Sequence, residues 1–175
     1  MRFKITVLFL FIGIFIGCTK EPSEDESITS KDLNDQIAIK ILYKTNLIRS
    51  FQGLEDLLQD NEMDVLASLH SENMITHDFF DHVDHEGKSP SERADDLDFI
   101  WSSIAENIGY VPWFENVSGC GDTRSAEAIA ECVVEGWRNS PGHYVNMIGD
   151  FDELGVGVAF TQDSVAYFTQ VFRTR

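Results

Sequence analysis

A serine and a histidine lie three positions apart in residues 135–147, which read EGWRNSPGHYVNM. Ser140 and His143 are the residue types of a nucleophile and its general base, but such a pair also needs an orienting acid and an oxyanion hole. The segment shows neither. Proline cannot continue a helix, so a helix should end at Ser140-Pro141. His143 should then lie on irregular backbone, where functional side chains are common.

Apolar side chains at helical spacing predict the helix that leads into this segment. Residues 126–137 place these side chains on one face, and Trp137 is interpreted as part of the core. Glu127, Glu131 and Glu135 fall on the opposite side, which should face water.

The remaining elements follow from similar patterns. Ser89 is a suitable helix cap and Pro90 fits a first turn, while residues 99–109 indicate a strand or an irregular buried segment. Helices followed by a terminal antiparallel pair of strands indicate a layered α+β domain. The other predicted elements are helices from about residue 35 and over residues 61–76, and strands over residues 154–162 and 165–172 with a turn at Asp163-Ser164.

The first residues indicate export rather than part of the fold. Arg2 and Lys4 precede an almost wholly apolar run over residues 5–17, which is short for a membrane span and typical of a secretory signal. The ending Phe15-Ile16-Gly17-Cys18 resembles a bacterial lipobox, in which the cysteine is lipidated and becomes the mature N-terminus. An uncleaved N-terminal anchor is the alternative. Both interpretations place the rest of the chain outside the cytoplasm.

The predicted organisation is a lipoprotein signal peptide over residues 1–17, a flexible polar tether over residues 18–34 and one domain over residues 35–175. Loss of the signal peptide would change the formal net charge from −17 to −19. A chain this acidic repels phosphate backbones and anionic lipid headgroups. A nucleic acid is therefore not expected as a partner.

Two cysteines, Cys120 and Cys132, remain besides Cys18. An even number in an exported chain favours a disulfide, which would tie the loop around Cys120 to the next helix. The alternative is two free thiols, with Cys132 buried as a small apolar residue.

Six short motifs follow one another along the chain. They are Asn46-x-x-Arg49 with Gly53-Leu54, Leu69-His70-Ser71-Glu72-Asn73-Met74, Phe79-Phe80-Asp81-His82, Ala105-Glu106-Asn107-Ile108, Gly136-Trp137-Arg138-Asn139-Ser140-Pro141-Gly142-His143, and the strand pair Gly155-Val156-Gly157-Val158-Ala159 and Tyr167-Phe168-Thr169-Gln170-Val171-Phe172. In this order they resemble the CAP superfamily, or SCP-like extracellular domains, which includes cysteine-rich secretory proteins, antigen 5 and pathogenesis-related proteins of type 1. The resemblance covers residues 36–172. It implies an α-β-α sandwich with a central, mainly antiparallel sheet.

The resemblance also implies a cleft that gathers two histidines and two acidic residues. Its motifs assign His82, Glu106 and His143 to this cleft. The second acid would stand three residues after the helix tryptophan, where this chain has Ser140, so that carboxylate is missing. Glu135 could replace it only if its helix face turned inward, which its spacing with the other glutamates argues against.

The cleft histidines could also bind a metal. Two imidazoles from distant segments can share a divalent ion such as zinc, so His82 and His143 are the predicted ligands of Zn²⁺. Glu106 could orient an imidazole through a hydrogen bond or act as a base on bound water. Two histidines and one acid are fewer ligands than a typical catalytic zinc site uses, which favours weak or incidental binding.

The other polar residues of the motifs have simpler interpretations. His70, on an apolar helix face, is predicted to be a core histidine. His77 and His85 are predicted to be surface loop residues, and Asn107 is expected to hydrogen-bond loop backbone.

Three classes of function remain open. The preferred one is an exported bacterial lipoprotein of the cell envelope or cell surface, anchored to the membrane through Cys18, whose cleft binds a small ligand, a lipid or a divalent metal. The second is a metal-assisted hydrolase, such as a peptidase that uses His82, Glu106 and His143. The third is a non-catalytic interaction protein. The missing acid at Ser140 weakens the case for an enzyme.

Overall fold

The structure is a computed structural model that describes residues 30–175. The predicted signal peptide, Cys18 and most of the predicted tether lie outside the described residues. Within the part described, no helix is long and apolar enough to cross a membrane. In chain order the elements are α1 (Ser30–Phe51), β1 (Leu58–Gln59), α2 (Asn61–Thr76), α3 (Pro90–Asp96), β2 (Ser103–Pro112), α4 (Ala126–Arg138), α5 (Pro141–Met147), β3 (Glu153–Phe160) and β4 (Val165–Thr174).

The described strands form one sheet in the order β1-β3-β4-β2. β4 pairs antiparallel with both β3 and β2, and its register with β2 runs from Ser103↔Thr174 to Pro112↔Val165. β1 adds a short parallel pairing to β3. β2 therefore forms one edge of the sheet, and one side of its backbone faces away from β4.

Helices cover both faces of this sheet. α1, α4 and α5 pack over a larger hydrophobic core on one face, and α2 and α3 pack over a smaller core on the other. Side chains alternate along a strand, so Phe168 and Phe172 of β4 enter the larger core while Val171 enters the smaller one. The predicted α+β class and α-β-α sandwich with a mainly antiparallel sheet are confirmed.

Two glycines of β3 let α2 lie directly on the sheet. A Cβ atom added at Gly155 would lie 2.0 Å from the carbonyl carbon of Met63, and one added at Gly157 would lie 2.2 Å from that of Ala67. Neither gap can hold a side chain. The backbones of α2 and β3 are therefore in direct contact, while the alternate side chains of β3 fill the larger core.

The structure agrees with most of the predicted helix boundaries. α2 covers the predicted residues 61–76. The Ser89 hydroxyl accepts from the Glu92 N–H, and the Glu92 carboxylate accepts from the Ser89 N–H, which completes a capping box at the start of α3. α1 begins earlier than the predicted start near residue 35, because the Asn34 amide donates to the Val158 carbonyl at 3.0 Å and holds this part of the helix.

A disulfide joins Cys120 to Cys132, and the two Cα atoms are 5.4 Å apart. Cys120 lies in the loop before α4 and Cys132 lies within that helix. Thr123 also fixes this loop, because its hydroxyl donates to the Pro112 carbonyl at 2.5 Å and accepts from the Phe114 N–H at 3.0 Å. The loop is thus tied both to α4 and to the end of β2.

Gly157→Ala should destabilise the fold, because the added methyl group would overlap the backbone of α2. Overpacking of this kind costs about 3 kcal/mol of the free energy of unfolding, which urea denaturation measures. Gly136→Ala is the matched control, since nothing lies within 4 Å of a Cβ at Gly136. Helix propensity should make that variant more stable by about 0.5–1 kcal/mol. Equal stabilities would contradict the direct contact between α2 and β3.

Candidate functional site

Two adjacent residues of β2 point to opposite faces of the sheet. Glu106 pairs with Val171 and faces the side on which α2 and α3 pack, whereas Asn107 pairs with Gln170 and faces α4 and α5. Both residues are buried. Because β2 is an edge strand, groups held on the two faces can approach one another around its free edge.

The Glu106 carboxylate has a partner for each oxygen. Oε1 accepts a hydrogen bond from Nδ1 of His82 at 2.9 Å, and Oε2 accepts one from Nη2 of Arg93 at 2.5 Å. The Glu106 side chain is only 2% exposed, and Arg93 is buried as well. Since a carboxylate can only accept, His82 carries its proton on Nδ1, which leaves Nε2 as its free ring nitrogen.

Hydrogen bonds also fix the loop that carries His82. Nη1 of Arg93 donates to the carbonyl of His82 at 2.8 Å and to that of Lys88 at 2.9 Å. Nε2 of His70 donates to the Asp81 carbonyl at 3.0 Å. The same nitrogen lies 3.7 Å from Oε1 of Glu106. The backbone on both sides of the His82 ring is therefore held in place.

His143 lies on helix α5, so the prediction of irregular backbone is wrong. Pro141 separates α4 from α5, but it also occupies the first turn of α5, where its fixed φ and missing N–H are favourable. Ser140 takes the N-cap position, although its side chain makes no capping hydrogen bond. His143 is thus presented by a short regular helix.

Asparagine side chains hold α5 against the edge of β2. Nδ2 of Asn107 donates to the His143 carbonyl at 3.1 Å and to Oε1 of Gln170 at 3.2 Å. Nδ2 of Asn146 donates to the Glu106 carbonyl at 3.2 Å and to Oδ1 of Asn107 at 2.9 Å. Asn107 therefore bonds backbone as expected, although that backbone belongs to a helix rather than to a loop.

Arg49 of α1 holds the segment that leaves α5. Its Nη1 donates to the carbonyls of Met147 at 3.0 Å and Gly149 at 2.8 Å, and its Nε donates to that of Glu55 at 2.8 Å. Arg49 is buried, so these carbonyls replace water around its guanidinium. This arginine of the first motif has a structural role.

An open cavity of about 350 Å³ lies beside His143 at the free edge of β2. Its lining is mostly apolar and includes Val133 and Trp137 of α4, Tyr110 of β2 and Phe80 from the loop after α2. The rings of Phe80 and Tyr110 meet edge to face with centroids 5.1 Å apart. His143 and Ser140 add polar side chains to this apolar lining.

The pKa values of the two cleft histidines are shifted in opposite directions. The hydrogen bond to Glu106 raises the pKa of His82 above its usual value, although burial partly offsets this effect. Burial lowers the pKa of His143, and the positive charge of His82 lowers it further. As the pH falls, the cleft therefore takes up its first proton on His82 while His143 stays neutral.

The cleft offers few ligands for the zinc ion considered above. Among the residues that the structure describes, no three His, Cys, Asp or Glu side chains converge into a metal-binding group. Nε2 of His82 and the ring of His143 are the available donors, because both oxygens of Glu106 already have partners. Catalytic zinc sites use three protein ligands, so the residues present do not fit one.

Ser140 and Glu135, the two residues considered for the position of the missing acid, lie apart from the Glu106 carboxylate. Ser140 lines the cavity together with His143. Glu135 forms an ion pair with Arg138 at 3.0 Å on the outer side of α4, as its spacing predicts. No carboxylate, Glu106 included, is among the described residues that line the cavity.

The other histidines lie where the sequence predicts them. His70 is buried in the core, although its contact with Asp81 also makes it a support of the cleft. His77 and His85 are exposed and stack on each other with ring centroids 3.5 Å apart. Trp137 is buried, and its Nε1 donates to the Ile108 carbonyl at 2.8 Å, which covers part of the β2 edge.

Arg93 and Asn146 belong to the site but escape prediction from the sequence. Arg93 is the one basic residue of α3, whose sequence PSERADD is otherwise acidic or neutral. A single arginine in such a helix could have suggested that its guanidinium pairs with a buried carboxylate. Asn146 follows His143 by three residues and so lies near the same face of α5. This spacing could have suggested that Asn146 belongs to the site.

The domain is an α-β-α sandwich with a cleft on its edge strand β2. One histidine of the cleft is supported from each face of the sheet. The CAP family model, described as the cysteine-rich secretory protein family, matches residues 42–172. The chain therefore belongs to the CAP family.

Two relatives from Bacillus subtilis match most of this chain. It is 33% identical over 137 residues to the uncharacterized membrane protein YlbC, and 28% identical over 134 residues to the uncharacterized protein YkwD. The matched parts make up 78% and 76% of this chain but only 34% and 45% of the two relatives. The chain thus spans less than half the length of either relative.

Solved structures share the fold. An extracellular SCP-domain protein from Bacillus anthracis superposes with a TM-score of 0.66 at 24% identity, covering 89% of this chain and 45% of that one. An outer surface protein from Borrelia burgdorferi superposes with a TM-score of 0.63 at 20% identity, covering 77% and 90% respectively. At these identities the likeness shows the fold alone.

Glu106→Gln should lower the pKa of His82, because the amide can still accept the Nδ1 hydrogen bond but no longer attracts the proton electrostatically. An NMR titration of the His82 ring measures this pKa, which should lie above the usual 6.5 in the wild type and closer to or below that value in the variant. Glu135→Gln, on the outer side of α4, is the control and should leave His82 unchanged. Equal shifts in the two variants would contradict the assignment of Glu106 as the partner.

Proposed function

We propose that this protein is an exported CAP-domain protein whose cleft binds a small amphipathic ligand. One observation carries the proposal: the cavity of about 350 Å³ has mostly apolar walls, and His143 is among the few polar side chains that line it. Such a cavity, with few polar groups in its lining, is typical of small-molecule sites. The apolar body of the ligand would pack against Trp137 and Tyr110, with its polar head towards His143.

The histidines favour an anionic head. His82 takes up a proton more readily than His143, and neutral His143 still has one ring N–H to donate. A carboxylate or phosphate in the cavity would accept the hydrogen bond from His143, and the charge of His82 when protonated would attract it. We therefore propose an amphiphile with an acidic head, such as a fatty acid, as the ligand class.

The predicted lipid anchor at Cys18 would hold this cleft close to a membrane. The export pattern of residues 1–17 supports that location, and the relative YlbC is named as a membrane protein. We propose that the protein is a lipoprotein of the bacterial cell envelope or cell surface.

Several contacts favour binding over hydrolysis. Glu106 cannot readily act as a general base, because His82 and Arg93 occupy its two oxygens. Neither the Ser140 hydroxyl nor the His143 ring has an acidic hydrogen-bond partner among the described residues. A nucleophile–base pair needs such an orienting acid.

A Cys18→Ser variant, which lacks the lipid, should retain labelled palmitate saturably, and unlabelled palmitate should displace it. Gly136→Leu should weaken retention about tenfold, or ~1.4 kcal/mol, because the leucine would enter the cavity. Gly136 lines that cavity, and its Cβ would meet nothing within 4 Å.

Gly142→Leu is the matched control for this experiment. Its Cβ position is equally open, but Gly142 does not line the cavity, so retention should be unchanged. Retention that survives Gly136→Leu would place the lipid elsewhere. If the parent protein retained no lipid at all, a protein-interaction role would become the better explanation.

Zinc is a weaker candidate ligand, because the cleft supplies two imidazoles and no third donor. Calorimetric titration should show weak binding that His82→Ala and His143→Ala each abolish. His77→Ala should leave binding unchanged, because that histidine is on the surface. Tight binding that survives either cleft substitution would contradict this assignment.

A further inference from the structure

Helix α1 exposes a row of large apolar side chains. Ile39, Tyr43, Leu47 and Phe51 are 56%, 60%, 41% and 85% exposed. They recur every fourth residue, so the row advances by about 40° of helix rotation at each step and forms one continuous stripe. We call these four residues the α1 row.

The α1 row is not needed to attach α1 to the domain. Ile37 and Ile41, on another face of the helix, are fully buried in the larger core. A surface helix normally places polar residues opposite its buried face. α1 is therefore apolar on two sides, and the second side has no covering element in the described part of the chain.

The two lysines beside the row are paired, and Asp35, four residues before Ile39, is an exposed carboxylate at one end of the row. Lys40 and Lys44 flank it, but both pair with Glu127 of α4, at 2.7 Å and 2.6 Å. A shallow cavity of about 210 Å³ lies beside the row and is lined by Leu47 and Phe51. The row and this cavity thus form one surface beside which Lys40 and Lys44 are both paired.

The number of residues between Cys18 and α1 limits how far this surface can lie from a lipid anchor. α1 begins at Ser30, twelve positions after Cys18. A segment of this length reaches at most roughly 40 Å when extended and about 20 Å as a flexible coil. α1 itself is about 33 Å long. An anchor at Cys18 would therefore hold the start of α1 within roughly 40 Å of the lipid, which lets the α1 row reach the membrane surface.

We propose that the α1 row docks on the surface of the membrane that holds the protein. This inference rests on the membrane anchoring proposed above. Apolar and aromatic side chains on one side of a helix are suited to the boundary between headgroups and acyl chains. The net charge of −19 that loss of residues 1–17 leaves disfavours an anionic surface, so the matching partner is a neutral or zwitterionic lipid surface.

The experiment uses the full chain, processed in a bacterial host and reconstituted into phosphatidylcholine vesicles with brominated acyl chains. Bromine quenches tryptophan that reaches the acyl region. Leu47→Trp adds a tryptophan to the row, and Leu69→Trp adds one to α2 on the opposite side of the sheet, where Leu69 is 48% exposed. After subtraction of the wild-type signal, Leu47→Trp should lose most of its added emission and Leu69→Trp should lose little.

The outcomes separate docking from anchoring. If the protein floats with the vesicles but both added tryptophans are equally quenched or equally unaffected, docking by the row is overturned while anchoring stands. If the protein does not float, and mass spectrometry finds no lipid on Cys18, both are overturned. If sedimentation shows a dimer that Leu47→Asp dissociates, the row covers a second copy instead and the membrane proposal fails.

Discussion

The cleft depends on the position of two neighbouring side chains on an edge strand. Glu106 and Asn107 point to opposite faces, and each reaches the element that carries one cleft histidine. A shift of one residue in the register of β2 would exchange the two side chains and lose both sets of contacts. The long pairing with β4 prevents that shift, and Gln170 extends the network by donating to Thr45 of α1 at 2.9 Å.

The same arrangement determines what kind of chemistry the cleft supports. A carboxylate that already binds an arginine and an imidazole orients its neighbours, and it has little capacity left to move protons for a substrate. Glu106 therefore fixes the His82 ring and raises the pKa of that ring. With Ser140 at the position of the missing acid, His143 has no equivalent support. The site combines an imidazole oriented by Glu106, a second imidazole of lowered pKa and an apolar cavity, and the proposed ligand binding rests on this combination.

The parts of this structure that could be predicted are those encoded by local periodicity or by a motif. The helix over residues 126–138 shows a clear apolar face, whereas α2 buries His70 and Ser71 and exposes Leu69. The six motifs indicate the fold and three cleft residues. Helix α5 could not be predicted in this way, because Pro141 fits both the end of one helix and the start of another. Arg93 depends on a contact with a different element, and the early start of α1 depends on the bond from Asn34 to Val158, far away in the chain. Such contacts leave no periodic trace in the sequence.

Because α2 and β3 are in direct contact, the two sides of the cleft are held by different kinds of contact. With no side chains between them at Gly155 and Gly157, α2 and the sheet behave as one stiff body. His70 extends that body to the loop that bears His82. Helix α5, in contrast, is attached to β2 through the side-chain amides of Asn107 and Asn146. The His82 side of the cleft is therefore held by backbone packing, and the His143 side by side-chain hydrogen bonds together with the buried Met147 of α5.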